Sequence, residues 1–178
     1  MNTFPRGAES RSEEGIFIGL GANLPSPRFG TPRETLAAAV AALPRRGVHP
    51  LRQSRWYRSA PVPASDQPWF ANAVIAVATE LAPADLLSAL HEIEHAFGRR
   101  RARSRQARAI DLDLLDHGGR VEAGRSLVLP HPRMHERAFV MLPLREIAPD
   151  WVHPVSGLHI DRLCARLDRE QIARPWAG

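Results

Sequence analysis

The sequence of 178 residues contains no lysine and a single cysteine, Cys164. One cysteine excludes a disulfide within the chain, which is typical of proteins kept in a reducing compartment. No stretch approaches the roughly 20 consecutive apolar residues that a membrane-spanning helix requires. The N-terminal residues also lack the apolar segment of a signal peptide. These absences lead us to expect a cytoplasmic protein.

Positive charge is concentrated in one part of the sequence. All 24 basic residues are arginine, and the formal net charge is +5. Six of these arginines lie within residues 99–108, and the remaining 18 are nearly balanced by 19 acidic residues. A positive field confined to one segment suits a single anionic ligand better than a long nucleic-acid track. We therefore predict an anionic small molecule, and no nucleic acid, as the partner.

The sequence shows no internal repeat, low-complexity linker or break in composition. Residues 1–14 are polar and are predicted to form a disordered N-terminal tail. Residues 15–178 are predicted to form a single domain, since a chain of this length can bury a sizeable core without disulfides or metals.

The hydrophobic pattern predicts an α+β fold. A capping box of Thr31 and Glu34 precedes the first helix, and Pro83 begins the second. Strands are predicted at residues 15–20, 48–57, 69–80, 109–115 and 127–129, and helices from Pro32 to Pro44, from Pro83 to Gly98 and across His135–Ile147. The leading order of strand, helix, strand, strand, helix, strand indicates a ferredoxin-like antiparallel sheet with helices packed on one face.

The predicted strand at 109–115 carries two acids. Asp111 and Asp113 alternate with apolar residues, so both carboxylates lie on one face of the strand. Two like charges held side by side repel each other, and a hard divalent cation such as Mg²⁺ relieves that repulsion. The alternative is a half-exposed strand with two solvated acids.

The arginines of residues 99–108 directly precede this acidic pair. Guanidinium groups match phosphate oxygens in a bidentate manner. Metal-binding acids beside an arginine-rich loop are typical of phosphoryl transfer, in which cations neutralise developing charge. A solvated basic loop or a weak RNA contact is the alternative.

Two further segments contain candidate ligand-binding residues. His131 and His135 have a spacing that suggests zinc, but Pro132 disfavours a continuous helix and no third ligand is evident. Contact with phosphate or ribose is the alternative role for His131. Phe70 and Asn72 share a strand face and together suit a flat heterocycle. For that segment alone, however, a packed ring and a turn-stabilising amide are the favoured interpretation.

Taken together, these segments resemble the 6-hydroxymethyl-7,8-dihydropterin pyrophosphokinase family of folate biosynthesis. The resemblance spans roughly residues 16–157 and keeps the order of the family's motifs. The matching segments are IGLGANL at 18–24, SRWYRSAPV at 54–62, DQPWFANAV at 66–74, IEHAFGRRRAR at 93–103, RAIDLDLL at 108–115 and LPHPRMHERAFVMLPLREIAP at 129–149.

The resemblance implies a single pyrophosphokinase domain, which we place over residues 15–178. Nothing in the sequence demands a dimer, so we expect a monomer. Such an enzyme transfers the β,γ-pyrophosphate of ATP to the hydroxymethyl oxygen of the pterin and releases AMP. Asp111 and Asp113 would bind two Mg²⁺ ions and, with Arg99 and Arg108, are the expected catalytic residues. The expected ATP-binding residues are Glu94, Arg99, Arg101, Arg108, His131 and Arg137. The expected pterin-binding residues are Ser59, Val62 through its backbone, Phe70, Asn72 and Phe139, with the two phenylalanines enclosing the ring.

The sequence departs from the family at residues 105–108. Family members often have WGPR before the metal-binding strand, whereas this chain has RQAR and retains only the final arginine. The motif therefore does not identify which side chains of this loop close over the nucleotide. A metal-dependent nucleotidyltransferase and an RNA-binding domain on the same fold are the alternative function classes.

Overall fold

A computed structural model describes residues 15–98 and 110–176. The strands are β1 Ile16–Ala22, β2 His49–Gln53, β3 Tyr57–Ser59, β4 Phe70–Ala78, β5 Asp111–His117, β6 Glu122–Ala123, β7 Val128–Leu129 and β8 Ala173–Pro175. The α-helices are α1 Pro32–Ala42, α2 Pro83–Ala96, α3 Ala138–Ile147 and α4 Ile160–Cys164. The predicted N-terminal tail, residues 1–14, lies outside the described residues.

Within the described residues, the main sheet has six strands, and its pairs are antiparallel. Its order is β5-β1-β4-β3-β8, and β2 pairs with the C-terminal half of β4. β1 is therefore flanked by β4 and β5. Along the chain, α1 lies between β1 and β2, and α2 lies between β4 and β5. This arrangement confirms the predicted ferredoxin-like fold. β6 and β7 form a separate two-stranded hairpin.

One face of the sheet packs against α1 and α2, and we call it the sealed face. Its core consists mainly of aliphatic side chains, among them Ile18, Leu20, Leu36, Ile75, Leu86, Leu90, Ile93, Ile110, Leu112 and Leu114. The capping box predicted for α1 is present: the Thr31 hydroxyl accepts a hydrogen bond from the Glu34 amide at 3.3 Å, and the Glu34 carboxylate accepts one from the Thr31 amide at 2.8 Å.

The opposite face of the sheet packs against α3 and α4. The sequence predicted helices on one face, and the structure adds a second helical layer on the other. The second core contains Phe17, Val74, Ala76, Leu115, Met134, Val140, Met141, Leu144, Ile147, Trp151, Ile160 and Leu163. The physical reason is that alternate residues of β1, β4 and β5 are apolar here too, and the apolar stripe of α3 covers them.

The boundary predicted for the third helix was wrong by three residues. His135 belongs to a 3₁₀ turn at Met134–Glu136, and α3 begins at Ala138 and continues past Pro143 to Ile147. The weakly patterned C-terminal residues form α4 and an unpredicted strand, β8. No helix among the described residues is long and apolar enough to cross a membrane.

Candidate functional site

A cavity of about 320 Å³ lies on the part of the second face that α3 leaves uncovered. We call this second face of the sheet the pocket face. The residues around the cavity come from β1, β3, β4, β5, the turn before α3, α3 itself and the C-terminal segment. The lining includes Gly19, Gly21, Ser59, Val62, Phe70, Asn72, Asp111, Asp113, Arg133, Glu136, Arg137, Phe139 and Gln171.

The two acids of β5 line this cavity together. In the register of the sheet, Asp111 is opposite Gly21 and Asp113 is opposite Gly19 on β1. The Asp113 side chain is 43% exposed, and its Oδ2 lies 3.7 Å from Nη1 of Arg137. The alternation predicted from the sequence therefore places both carboxylates on the pocket face, with a guanidinium group close to one of them.

β1 contributes no side chain to the floor of the cavity beside these acids. A Cβ atom added at Gly21 would lie 3.5 Å from Oδ1 of Asn72, and one added at Gly19 would lie 3.4 Å from Leu115. Both are ordinary or only slightly tight contacts, so packing of the chain itself does not demand glycine here. The two glycines instead leave the floor open between β4 and β5.

An aromatic and polar group of residues forms the other end of the cavity. Asn72 and Ser59 are each 3% exposed, and Asn72 Nδ2 donates a hydrogen bond to Ser59 Oγ at 2.9 Å. Phe70 comes from the start of β4, whereas Phe139 comes from the first turn of α3 and has the Arg137 guanidinium 5.7 Å from its ring centroid. The cavity thus combines two aromatic rings with a fixed amide and hydroxyl, which suits a flat polar heterocycle.

Glu94 is a predicted site residue that does not line the cavity. It is 1% exposed on α2, and its Oε1 accepts a hydrogen bond from the Leu112 amide at 2.8 Å. Leu112 lies between the two acids of β5, so Glu94 supports the strand segment that carries them.

His131 also lies beside the cavity rather than in its lining. Its backbone amide donates to the Leu115 carbonyl at 2.8 Å, and its ring Nδ1 accepts from the Arg133 amide at 3.2 Å. Burial lowers the pKa of His131, Arg137 and Arg133 act in the same direction, and Asp113 opposes them. A neutral ring that accepts through Nδ1 carries its proton on Nε2, which is then a donor.

Arg99, Arg101 and Arg108 lie outside the described residues. The contacts predicted for these three arginines, and the effect of the departure at 105–108, stay predictions.

The sequence analysis missed several residues of the cavity. Arg133 and Glu136 lie within the segment at 129–149 that we had singled out, and their charge shortly before Arg137 was an available signal. Gly19 and Gly21 alternate within an apolar strand, which marks an open strip on one face. Gln171 had no signal, because it comes from the weakly patterned C-terminal residues and reaches the cavity only through the tertiary fold.

Comparison with known proteins gives a consistent match. The model of the 7,8-dihydro-6-hydroxymethylpterin-pyrophosphokinase family matches residues 17–149. The chain is 42% identical over 161 residues to the 2-amino-4-hydroxy-6-hydroxymethyldihydropteridine pyrophosphokinase of Methylorubrum extorquens, covering 89% of this chain and 96% of that protein. It is 39% identical over 165 residues to the protein of the same name from Pseudomonas aeruginosa, covering 89% of this chain and 95% of that protein.

A longer relative matches only in part. The chain is 38% identical over 159 residues to the folic acid synthesis protein fol1 of Pneumocystis carinii. The match covers 89% of this chain but only 21% of that protein.

Proposed function

Because the chain belongs to the 7,8-dihydro-6-hydroxymethylpterin-pyrophosphokinase family, we propose that it transfers pyrophosphate from ATP to the hydroxymethyl group of 6-hydroxymethyl-7,8-dihydropterin. AMP is the second product, and the reaction belongs to folate biosynthesis. ATP is the co-substrate, and both reactants are small molecules.

The observation that carries this proposal is the composition of one cavity. Phe70, Asn72, Ser59 and Phe139 form an end suited to a heterocycle, and Asp111 and Asp113 lie in the same cavity. A pterin held at the aromatic end has its substituent directed toward the acidic end, where the phosphates of ATP would lie. Bringing the two reactants together in a defined orientation is a large part of catalysis in such transfers.

The acidic end fits magnesium. Two carboxylates are hard oxygen donors of the kind that Mg²⁺ prefers, and Mg²⁺ commonly takes only one or two protein carboxylates and fills its octahedron with phosphate and water oxygens. Among residues 15–98 and 110–176, no group of three or more His, Cys, Asp or Glu side chains is placed to enclose a metal. Asp111 and Asp113 would hold two Mg²⁺ ions, which when bound would neutralise charge on the triphosphate.

The chain's own residues then have distinct tasks. Phe70 and Phe139 stack on the pterin, while Asn72, Ser59 and the Val62 backbone hydrogen-bond to its edge. Arg137, 3.7 Å from Asp113, contributes positive charge beside the phosphates. Glu94 holds the backbone of β5 through Leu112, and this contact keeps the acidic pair in register.

The remaining ATP contacts follow the family pattern. His131 offers Nε2–H toward the nucleotide, and Arg99, Arg101 and Arg108 neutralise the triphosphate as it reacts. A monomeric state, the absence of a nucleic-acid partner and a cytoplasmic location complete the proposal.

The test is an incubation of the protein with MgATP and 6-hydroxymethyl-7,8-dihydropterin, followed by separation of the nucleotides. We expect AMP to form only when the pterin is present. Formation of ADP would indicate a different transferase. Formation of free pyrophosphate would indicate the nucleotidyltransferase alternative. An absence of turnover, together with no binding of the pterin or of an ATP analogue, would refute the proposal.

A further inference from the structure

Gln171 lines the cavity although it lies 22 residues beyond the end of the family match at residue 149. It belongs to the C-terminal segment, residues 168–176, which includes β8. The turn before it is ordered by two hydrogen bonds to Asp168, one from the Glu170 amide at 2.9 Å and one from the Gln171 amide at 3.2 Å.

The Gln171 side chain bonds to the backbone on both sides of Arg137. Its Oε1 accepts a hydrogen bond from the Ala138 amide at 2.9 Å, and its Nε2 donates to the Glu136 carbonyl at 2.7 Å. Both polar ends of the amide are thus engaged by the turn that connects the 3₁₀ segment to α3. Arg137, the residue enclosed by these two bonds, projects toward Asp113 and the ring of Phe139.

The start of α3 explains why such a contact is needed. The first amides of a helix have no partner within the helix, and they are usually capped by a Ser, Thr, Asp or Asn side chain. α3 has Arg137 at its N-cap position, and Arg137 makes no side-chain capping bond. An arginine side chain has no acceptor and is directed into the cavity instead, so Gln171 supplies from a distance the acceptor that the local sequence lacks.

The residues that follow Gln171 bind the opposite wall of the cavity. The Ile172 carbonyl accepts a hydrogen bond from the Ala60 amide at 3.1 Å, and Ala173 of β8 pairs with Ser59 of β3. Residues 171–173 therefore join the wall that carries Arg137 and Phe139 to the wall that carries Ser59 and Val62. The distance between the two walls determines how well a flat ring fits between them.

From this geometry, and resting on the proposed function, we infer that Gln171 is a positioning residue for pyrophosphoryl transfer. Its amide holds the Glu136–Ala138 backbone, and this directs the Arg137 guanidinium and the Phe139 ring into the cavity. It acts through Arg137 and Phe139 rather than by chemistry of its own.

The test compares Gln171→Ala and Gln171→Glu with the matched control Glu170→Gln, whose side chain is on the exposed side of the same turn. Misplacement of reacting groups by about 1 Å can lower the reaction rate on the order of 100-fold. We therefore expect Gln171→Ala to lower kcat/KM for the pterin by about 10-fold to 100-fold. The Gln171→Glu carboxylate still accepts from Ala138 but no longer donates to Glu136, so we expect an intermediate loss. Glu170→Gln should match the wild type.

Two measurements separate positioning from general destabilisation. The urea midpoint of Gln171→Ala should stay close to that of the wild type, while amide hydrogen exchange at Ala138 becomes faster by about 10-fold. Gln171→Glu should keep Ala138 protected. Unchanged exchange at Ala138, or wild-type kcat/KM in Gln171→Ala, would overturn the inference.

The exchange measurement also keeps this inference separate from the proposed function. If the wild-type protein forms no AMP with the pterin, the proposed reaction fails. Faster exchange at Ala138 in Gln171→Ala would still establish that Gln171 holds the start of α3, whereas unchanged exchange would refute that as well.

Discussion

The two faces of the central sheet are built from alternate residues of the same strands, yet they have different roles. On the sealed face, Ile18 and Leu20 of β1 and Leu112 and Leu114 of β5 are covered by α1 and α2. On the pocket face, Gly19 and Gly21 of β1 and Asp111 and Asp113 of β5 border a cavity. The comparison shows that a period of two residues lets one strand support the fold and the candidate site separately.

This separation predicts that substitutions on the pocket face change activity with little effect on stability. The largest effect is expected for Asp113→Ala, which removes half of the proposed magnesium site. We expect kcat/KM to fall by about 10³-fold or more, since loss of a group that stabilises transition-state charge has effects of this order. Steady-state AMP formation measures it.

The control for Asp113→Ala is Asp150→Ala, because Asp150 is an exposed acid in the turn after α3 and does not line the cavity. This variant should have wild-type activity, and both variants should keep the wild-type circular dichroism spectrum. Activity of Asp113→Ala at saturating magnesium would contradict the assignment.

On the sealed face the opposite result is expected. Leu90 of α2 is fully buried, and Leu90→Ala should lower the free energy of unfolding by about 2–5 kcal/mol. The kcat of the folded enzyme should change little, because Leu90 does not line the cavity. Urea denaturation and steady-state kinetics on the same preparation measure the two quantities. A loss of kcat larger than the loss of folded protein would show that the faces are coupled.

A substitution at the cavity floor should move stability and substrate binding in opposite directions. Gly21→Ala places a methyl group on the floor at ordinary contact distance from Asn72 Oδ1, 3.5 Å. Replacing glycine within a strand should stabilise the fold by about 0.5–1 kcal/mol. The same methyl group occupies space that the pterin needs, so its KM should rise by about tenfold. An unchanged KM would show that the ring does not reach this part of the floor.

The smallest effect concerns the pH dependence of the second core. Burial lowers the pKa of His153 from its ordinary value of 6.5, His135 adds to the decrease, and Asp116 opposes it. The neutral ring accepts hydrogen bonds through Nδ1 from the amides of Val155 and Ser156 at 3.3 and 3.2 Å. Protonation at Nδ1 would remove the acceptor of both hydrogen bonds.

Since the folded-state pKa is below the unfolded one, this contribution to stability is complete above pH 6.5 and is lost as the pH falls through the lowered pKa. Urea midpoints at pH 7.5 and 5.5 should therefore differ more in the wild type than in His153→Asn, which keeps an acceptor but does not titrate. A matched control is His49→Gln on the exposed strand β2. Equal pH dependence in wild type and His153→Asn would refute this role.

Local sequence signals predicted those parts of the protein that depend on neighbouring residues. The alternation of Asp111 and Asp113 with apolar residues predicted their shared face, and Thr31 with Glu34 predicted the start of α1. The motifs also indicated Ser59, Asn72 and Phe139, which the structure brings to one cavity. Their roles in binding pterin and ATP stay predictions until the reaction is tested.

The features that were not predicted depend on contacts between distant residues. β8 forms where the C-terminal part of the chain pairs with β3, and Gln171 meets the start of α3 in the same region. The second helical layer likewise depends on packing against strands that are distant in sequence. Likewise, the hydrogen bond from the Leu112 amide to the Glu94 carboxylate joins residues 18 positions apart. A single sequence shows the polarity of such residues but not which partner each will meet.

The sequence by itself determined the ferredoxin-like order of elements and the chemical character of each strand face, because both follow from periodicity and from capping within a few residues. Only the tertiary structure decided that one face would be fully covered by helices and the other covered only in part, and that Gln171 would cap α3 next to Arg137. Those outcomes depend on how helices fill the space above the sheet, which is a property of packing across the whole chain.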